Sequence, residues 1–188
     1  MTIAIIVIVV VVVLLLLYVI ATYNGLVRLR NRVENAWAQI DVQLKRRLDL
    51  IPNLVETVKG YAAHERQTLD AVVQARNAGI AAQGPQQEAQ ADNQITGALR
   101  QLFALSEAYP DLKANQNFMA LQEELSSTEN RIGFSRQHYN DVVGQYNASL
   151  MRFPNNILGG LFGFRRADFF QLDPAEATAA KQAPKVQF

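Results

Sequence analysis

The run from Ile3 to Ala21 constrains this chain more than any other feature: nineteen consecutive residues with no charge, no Pro and no Gly. A helix rises about 1.5 Å per residue, so the run reaches about 28 Å, close to the ~30 Å hydrocarbon core of a bilayer. A lone span must satisfy its own backbone hydrogen bonds, and a helix does so whatever its content of Val and Ile. A cleaved signal peptide would need a basic n-region, a shorter apolar core and small residues at a cleavage site. No Lys or Arg precedes the run, and Val19-Ile20-Ala21-Thr22-Tyr23 is a poor cleavage site. The expectation is an uncleaved anchor over residues 1–24. Arg28, Arg30 and Arg32 follow it, then Lys45, Arg46 and Arg47. This charge bias favours an N-terminus outside and the domain on the cytoplasmic side.

Roughly 165 residues remain, enough for one compact domain. With no Cys in the chain, disulfide and thiolate chemistry are excluded. The net charge is +1 and basic residues alternate with acidic ones, so no nucleic-acid patch stands out.

Leu26, Leu29, Val33, Trp37, Ile40, Leu44, Leu48 and Ile51 fall at spacings of three and four, one face of a helix over residues 25–51. Pro52 then either kinks this helix or opens another, and the reading taken is a second helix over 52–82. Residues 83–90, with Gly84-Pro85 and no apolar side chain beyond Ala, are expected to be a loop. A third helix is expected over 91–107 and a fourth over 115–153. In the fourth, Phe118, Leu125, Ile132, Tyr139, Tyr146 and Phe153 recur every seven residues. A second row mixes Leu121 and Val142 with Thr128, Ser135 and Ser149, which suits a helical bundle better than a two-stranded coiled coil. No stretch reads as strand. The expected fold is all-α, with the transmembrane helix continuing into a long antiparallel bundle of three to four helices.

Residues 154–172 depart from this pattern. Three glycines lie among Leu161, Phe162, Phe164, Phe169 and Phe170, with Arg165 and Arg166 beside them. Such a stretch makes a poor regular helix and an adhesive surface. It could fold back on the bundle, insert at the membrane surface or dock on another subunit. Residues 173–188 are Ala/Pro/Gln/Lys-rich and expected to be disordered.

Chemistry finds little footing. His64-Glu65 lacks a second His at zinc-peptidase spacing, and no Glu-x-x-His pair occurs. A nucleophile elbow, a P-loop and a dinucleotide fingerprint are also missing. The expectation is no enzyme, no metal, no cofactor, no small-molecule substrate and no nucleic acid. One polar constellation remains: Thr128, Glu129, Asn130, Arg136, Tyr139-Asn140 and Tyr146-Asn147 lie on or near the heptad face. On the other long helix Trp37, Asp41, Arg47, Asp49 and Asn53 are candidate partners. Polar groups that leave water need partners, so this set reads either as interhelical registry or as a subunit interface.

Two stretches resemble the LemA family. One runs from Tyr23-Asn24-Gly25-Leu26-Val27 through Trp37-Ala38-Gln39-Ile40-Asp41 and Leu50-Ile51-Pro52-Asn53-Leu54 to Gly60-Tyr61. The other is Leu125-Ser-Ser-Thr128-Glu129-Asn130-Arg131-Ile132 with Arg136, Tyr139-Asn140 and Tyr146-Asn147, closing on Phe153-Pro154-Asn155-Asn156 and Gly163-Phe164. One departure is Leu48, where a His or another polar residue is expected about as often. The resemblance implies a bacterial protein of the cell (inner) membrane with one N-terminal span and a helical bundle. It implies no established enzymatic activity and offers no catalytic residues. Some similar proteins belong to magnetosome gene sets, which suggests membrane organisation. The expected function is a membrane-anchored scaffold that contacts lipid and self-associates. The alternatives are an adaptor for another membrane protein such as a protease, transporter or sensor, and, ranked below it, an unrecognised enzyme.

Overall fold

A computed structural model describes residues 1–170. The fold is all-α, with no strand among the described residues. Among the described residues six helices follow one another: α1 (Thr2–Lys59), α2 (Arg66–Ala81), α3 (Gly84–Ser106), α4 (Pro110–Lys113), α5 (Gln116–Met151) and α6 (Asn155–Leu161). The expected tail over 173–188 lies outside the described residues.

The chain divides into two units, residues 1–39 with 137–168, and residues 40–136 with the segment from Phe169. In the first, the apolar run is not buried, and it is long and apolar enough to cross a membrane. It passes without interruption into Leu26, Val33 and Ala36, which are buried. Tyr139, Val142, Val143, Tyr146 and Leu150 of α5 are buried in the same unit. The heptad row runs as expected through Tyr146, but Phe153 is 80% exposed because α5 stops at Met151. The appearance of Val143 and Leu150 in the core reflects a straight helix drifting against a strict seven-residue repeat.

The second unit has a contiguous core. Ile51, Leu54 and Val58 of α1 meet Leu69 and Val72 of α2, Ile95, Leu99 and Leu102 of α3, Leu112 of α4, and Phe118 and Leu125 of α5. The helical spacing of these residues is what turns five helical segments into a bundle.

Two expected boundaries are corrected. The helix does not end at Ile51; α1 runs through Pro52 to Lys59 and breaks at Gly60. Proline at 52 has no N–H for the carbonyl of Leu48, four residues back. The Arg76 Nε of α2 donates to that carbonyl at 3.1 Å, so the group that proline would orphan is satisfied from a neighbouring helix. The expected loop over 83–90 is instead the first two turns of α3. Pro85 sits in the opening turn, where a missing N–H costs nothing. Side-chain oxygens of Gln87 and Glu88 reach back to the N–H groups of Gln83 and Gly84 at 3.1 and 3.2 Å, as in the returning half of a capping box. The reversal between α2 and α3 needs only Gly84, at φ 78°. The Gly-rich segment also holds a short helix, α6, where irregular backbone was expected.

Candidate functional site

Arg47 occupies the apolar stripe of α1, four residues before Ile51 and three after Leu44, so helical geometry aims it into the core. It is 3% exposed. Its Nη1 lies 2.6 Å from Asp92 Oδ1 on α3 and 2.8 Å from Glu129 Oε2 on α5, and Nη2 donates to Thr96 Oγ1 at 2.9 Å. Asp92 is as deeply buried as Arg47, whereas the Glu129 side chain is 44% exposed. One guanidinium thus joins three helices and faces two carboxylates. Burial holds the Asp92 carboxyl above the usual carboxylate range, Arg47 pulls it back, Glu129 raises it and Arg136 lowers it. Arg47 Nε has no hydrogen-bond partner among the described residues.

A cleft of about 310 Å³ opens beside this cluster. Asp41, Lys45, Asp49, Arg76, Ile80 and Glu88 contribute to its lining, and Arg47 and Asp92 reach it from the core. Burial, then the Asp41 charge, raises the Glu88 carboxyl, and the Gly84 N–H opposes them. Gly79 forms part of the wall. A Cβ there would come within 2.9 Å of Leu48 Cδ2 and 3.0 Å of Ile95 Cδ1.

A second polar set lies in the first unit and grips the chain's own backbone. Asn147 donates from Nδ2 to the Ala167 carbonyl and accepts the Ala167 N–H on Oδ1, both at 2.9 Å. The Tyr146 hydroxyl donates to the Arg165 carbonyl at 2.9 Å and the Tyr139 hydroxyl to the Asp168 carbonyl at 2.8 Å. Residues 164–168 therefore form a strap along α5. Burial, with the charge of Asp168, pushes the Tyr139 hydroxyl up to about 12. Burial also raises Tyr146, Arg30 opposes it and Glu34 adds to it. Trp37, half-buried, meets the Tyr139 ring edge-on at 5.3 Å.

Of the registry residues read from sequence, Arg47 and Glu129 meet one another, and Thr128 is buried between turns that carry core residues. Asp41 and Asp49 are exposed at the cleft, and Asn53 and Asn130 are exposed. Tyr139, Tyr146 and Asn147 bind the strap, and Arg136 lies 5.9 Å from the Phe170 ring. Asn140 is half-buried. Of the docking residues, Phe162 and Phe164 pack edge-on against Tyr23 at 5.1 and 5.7 Å, and Arg30 lies over the Phe164 ring. Leu161, Arg165, Arg166 and Phe169 are exposed, and Phe170 is buried.

Sequence reasoning missed Asp92, Thr96 and Arg76. Asp92 carried a signal: it falls three residues before Ile95 and seven before Leu99, a charge in an apolar stripe. A helix expected to begin at 91 puts Asp92 in its first turn, where an acidic residue is ordinary, whereas in α3 from Gly84 it lies in the interior of the helix.

The model of the LemA family matches residues 36–188. The chain belongs to the LemA family. It is 26% identical over 186 residues to magnetosome protein MamQ 2 of Paramagnetospirillum magneticum, covering 85% of this chain and 68% of that one. It is 27% identical over 157 residues to protein LemA of Metamycoplasma hominis, covering 81% and 70%. Magnetosome protein MamQ of Magnetospirillum gryphiswaldense is 24% identical, with 85% and 68% covered. Within this LemA-family chain, the residues described hold no group of three or more His, Cys, Asp or Glu side chains placed to share a metal ion.

Proposed function

We propose that this protein is a membrane-anchored, non-enzymatic scaffold that self-associates at the bilayer surface. The observation that carries it is the unbroken course of α1 from the apolar run into the buried Leu26, Val33 and Ala36. A helix that is continuous over these residues transmits position, so the buried layer around Leu26, Val33 and Ala36 is held near the membrane rather than tethered by a flexible linker. The buried polar groups support the same reading, because they are used in holding helices and the strap together. Val42 and Phe134 supply exposed apolar contacts for a second copy. That two of the relatives are named magnetosome proteins supports this reading. The arginines after the span favour a single pass through the bacterial inner membrane with the domain in the cytoplasm.

Gentle detergent extraction followed by light scattering tests this. A homo-oligomer well above 21.0 kDa is expected, and a monodisperse monomer at working concentration refutes self-association. An adaptor for another membrane protein is favoured by one observation, the cleft beside Arg47 with Ile80 exposed at its edge. Crosslinking in cells separates the two, since an adaptor yields a second polypeptide in stoichiometric amount.

A further inference from the structure

We propose that α6 is a second membrane attachment, lying in the bilayer–water interface with Ile157, Leu161 and the flanking Phe153 and Phe162 among the lipids. Tyr23 stands two residues past the end of the apolar run, about 3 Å further along the helix axis. Phe162 packs on Tyr23 with ring centroids 5.1 Å apart, so the C-terminal end of α6 meets α1 at the level where the span leaves the hydrocarbon. Gly159 fixes this approach. A Cβ at that position would lie 2.9 Å from Leu150 Cδ2 and 3.8 Å from Leu26 Cδ1, so the α6 backbone is seated directly on α1 and α5.

With that side occupied, the apolar side chains point away. Ile157 and Leu161, one turn apart on α6, are 60% and 76% exposed, and Phe153 and Phe162 are 80% and 45% exposed. Four large apolar groups clustered at the foot of a span are what an interfacial segment presents to the acyl boundary. The charges around them agree. Arg28, Arg165 and Arg166 are exposed, and cations at this depth meet anionic headgroups. Tyr18 and Tyr23, 48% and 40% exposed, give the span the aromatic collar that marks a membrane–water boundary.

The occupant is therefore a lipid surface continuous with the bilayer that the span already enters. The inference rests on the membrane anchoring proposed above, and its test separates the two. The chain has no Cys, so single variants Val12→Cys, Ile157→Cys, Leu161→Cys and His138→Cys each carry one environment-sensitive fluorophore in the full-length protein. The protein is reconstituted into vesicles of phosphatidylcholine with phosphatidylglycerol, with and without brominated acyl chains. His138 is exposed on α5, thirteen residues from Met151 and so about 20 Å along the helix, and serves as the solvent reference.

The expected result is that bromolipid removes most of the emission at Ile157 and Leu161 as well as at Val12, and leaves His138 unchanged. Loss at Val12 with none at Ile157 and Leu161, and full iodide access there, overturns the interfacial assignment while the anchor stands. Strong pairwise self-quenching at Ile157 and Leu161 without lipid quenching overturns it in favour of a second copy. Absence of loss at Val12 would refute the anchor itself.

Discussion

Replacing Arg47 by Met removes a cation that three helices share, and the size of the effect follows from burial. The Arg47 and Asp92 side chains are 4% and 2% exposed, so Asp92 cannot recover its lost partner from water without opening the core. Removing one member of a buried ion pair costs about 3–5 kcal/mol, because the remaining charge is stranded. Glu129, 44% exposed, can turn outward and adds little to that cost. Asp92 has one escape, which is to take a proton, and burial already raises its affinity for one. Its folded carboxyl then lies above the unfolded one, so the folded state binds the extra proton and stability falls as pH rises between the two values. The penalty of Arg47→Met should accordingly grow by up to about 1.4 kcal/mol per pH unit through that interval and be smallest in acid. Urea unfolding of the full chain in detergent micelles, followed by helical circular dichroism at pH 5 and pH 7.5, measures it; urea is chosen because it does not screen charge. The double variant Arg47→Met/Asp92→Leu should return to within about 1 kcal/mol of the parent, since an apolar pair can replace a buried ion pair. A single variant within about 0.5 kcal/mol of the parent at pH 7.5, or a double variant as unstable as the single, would show that the cluster is not desolvated as argued.

Arg76→Ala should cost about 1–3 kcal/mol by stranding the Leu48 carbonyl, and much less in a Pro52→Ala background, where the chain's own N–H at 52 takes over; a double-mutant cycle in urea measures the coupling. Tyr139 keeps its proton in the folded state up to about 12 while the unfolded phenol ionises at its ordinary value near 10, so stability should be intact below pH 10 and fall as pH rises toward 12. Tyr139→Phe should abolish that alkaline step in a phenolate-absorbance titration. Asn147→Ala removes both bonds to Ala167 and should raise amide exchange at residues 164–168 without changing the helical signal, as read by hydrogen–deuterium exchange. Gly97 lies mid-helix in α3 with open space where a Cβ would go, so Gly97→Ala should stabilise by about 1 kcal/mol in the same urea assay.

The all-α class, the apolar span and the faces of the long helices were legible in the amino-acid order, because each depends on periodicity within one segment. Phe118, Leu125, Ile132, Tyr139 and Tyr146 could be assigned to a core from their spacing alone. Pro52 and Gly84-Pro85 were misread for the opposite reason. An interior proline costs a helix less when the carbonyl it orphans finds another donor, and Arg76, twenty-four residues on, supplies one for Leu48. At the start of α3 the free groups are N–H donors, and the side-chain oxygens of Gln87 and Glu88 accept those of Gln83 and Gly84. The destination of the polar side chains was likewise a matter of three dimensions. Arg47 needed Asp92 and Thr96, and Tyr146 with Asn147 needed the backbone of residues 165–167. Hydrophobic burial is nearly non-directional and shows in pattern, whereas a hydrogen bond is satisfied only by the particular atom that folding brings to it.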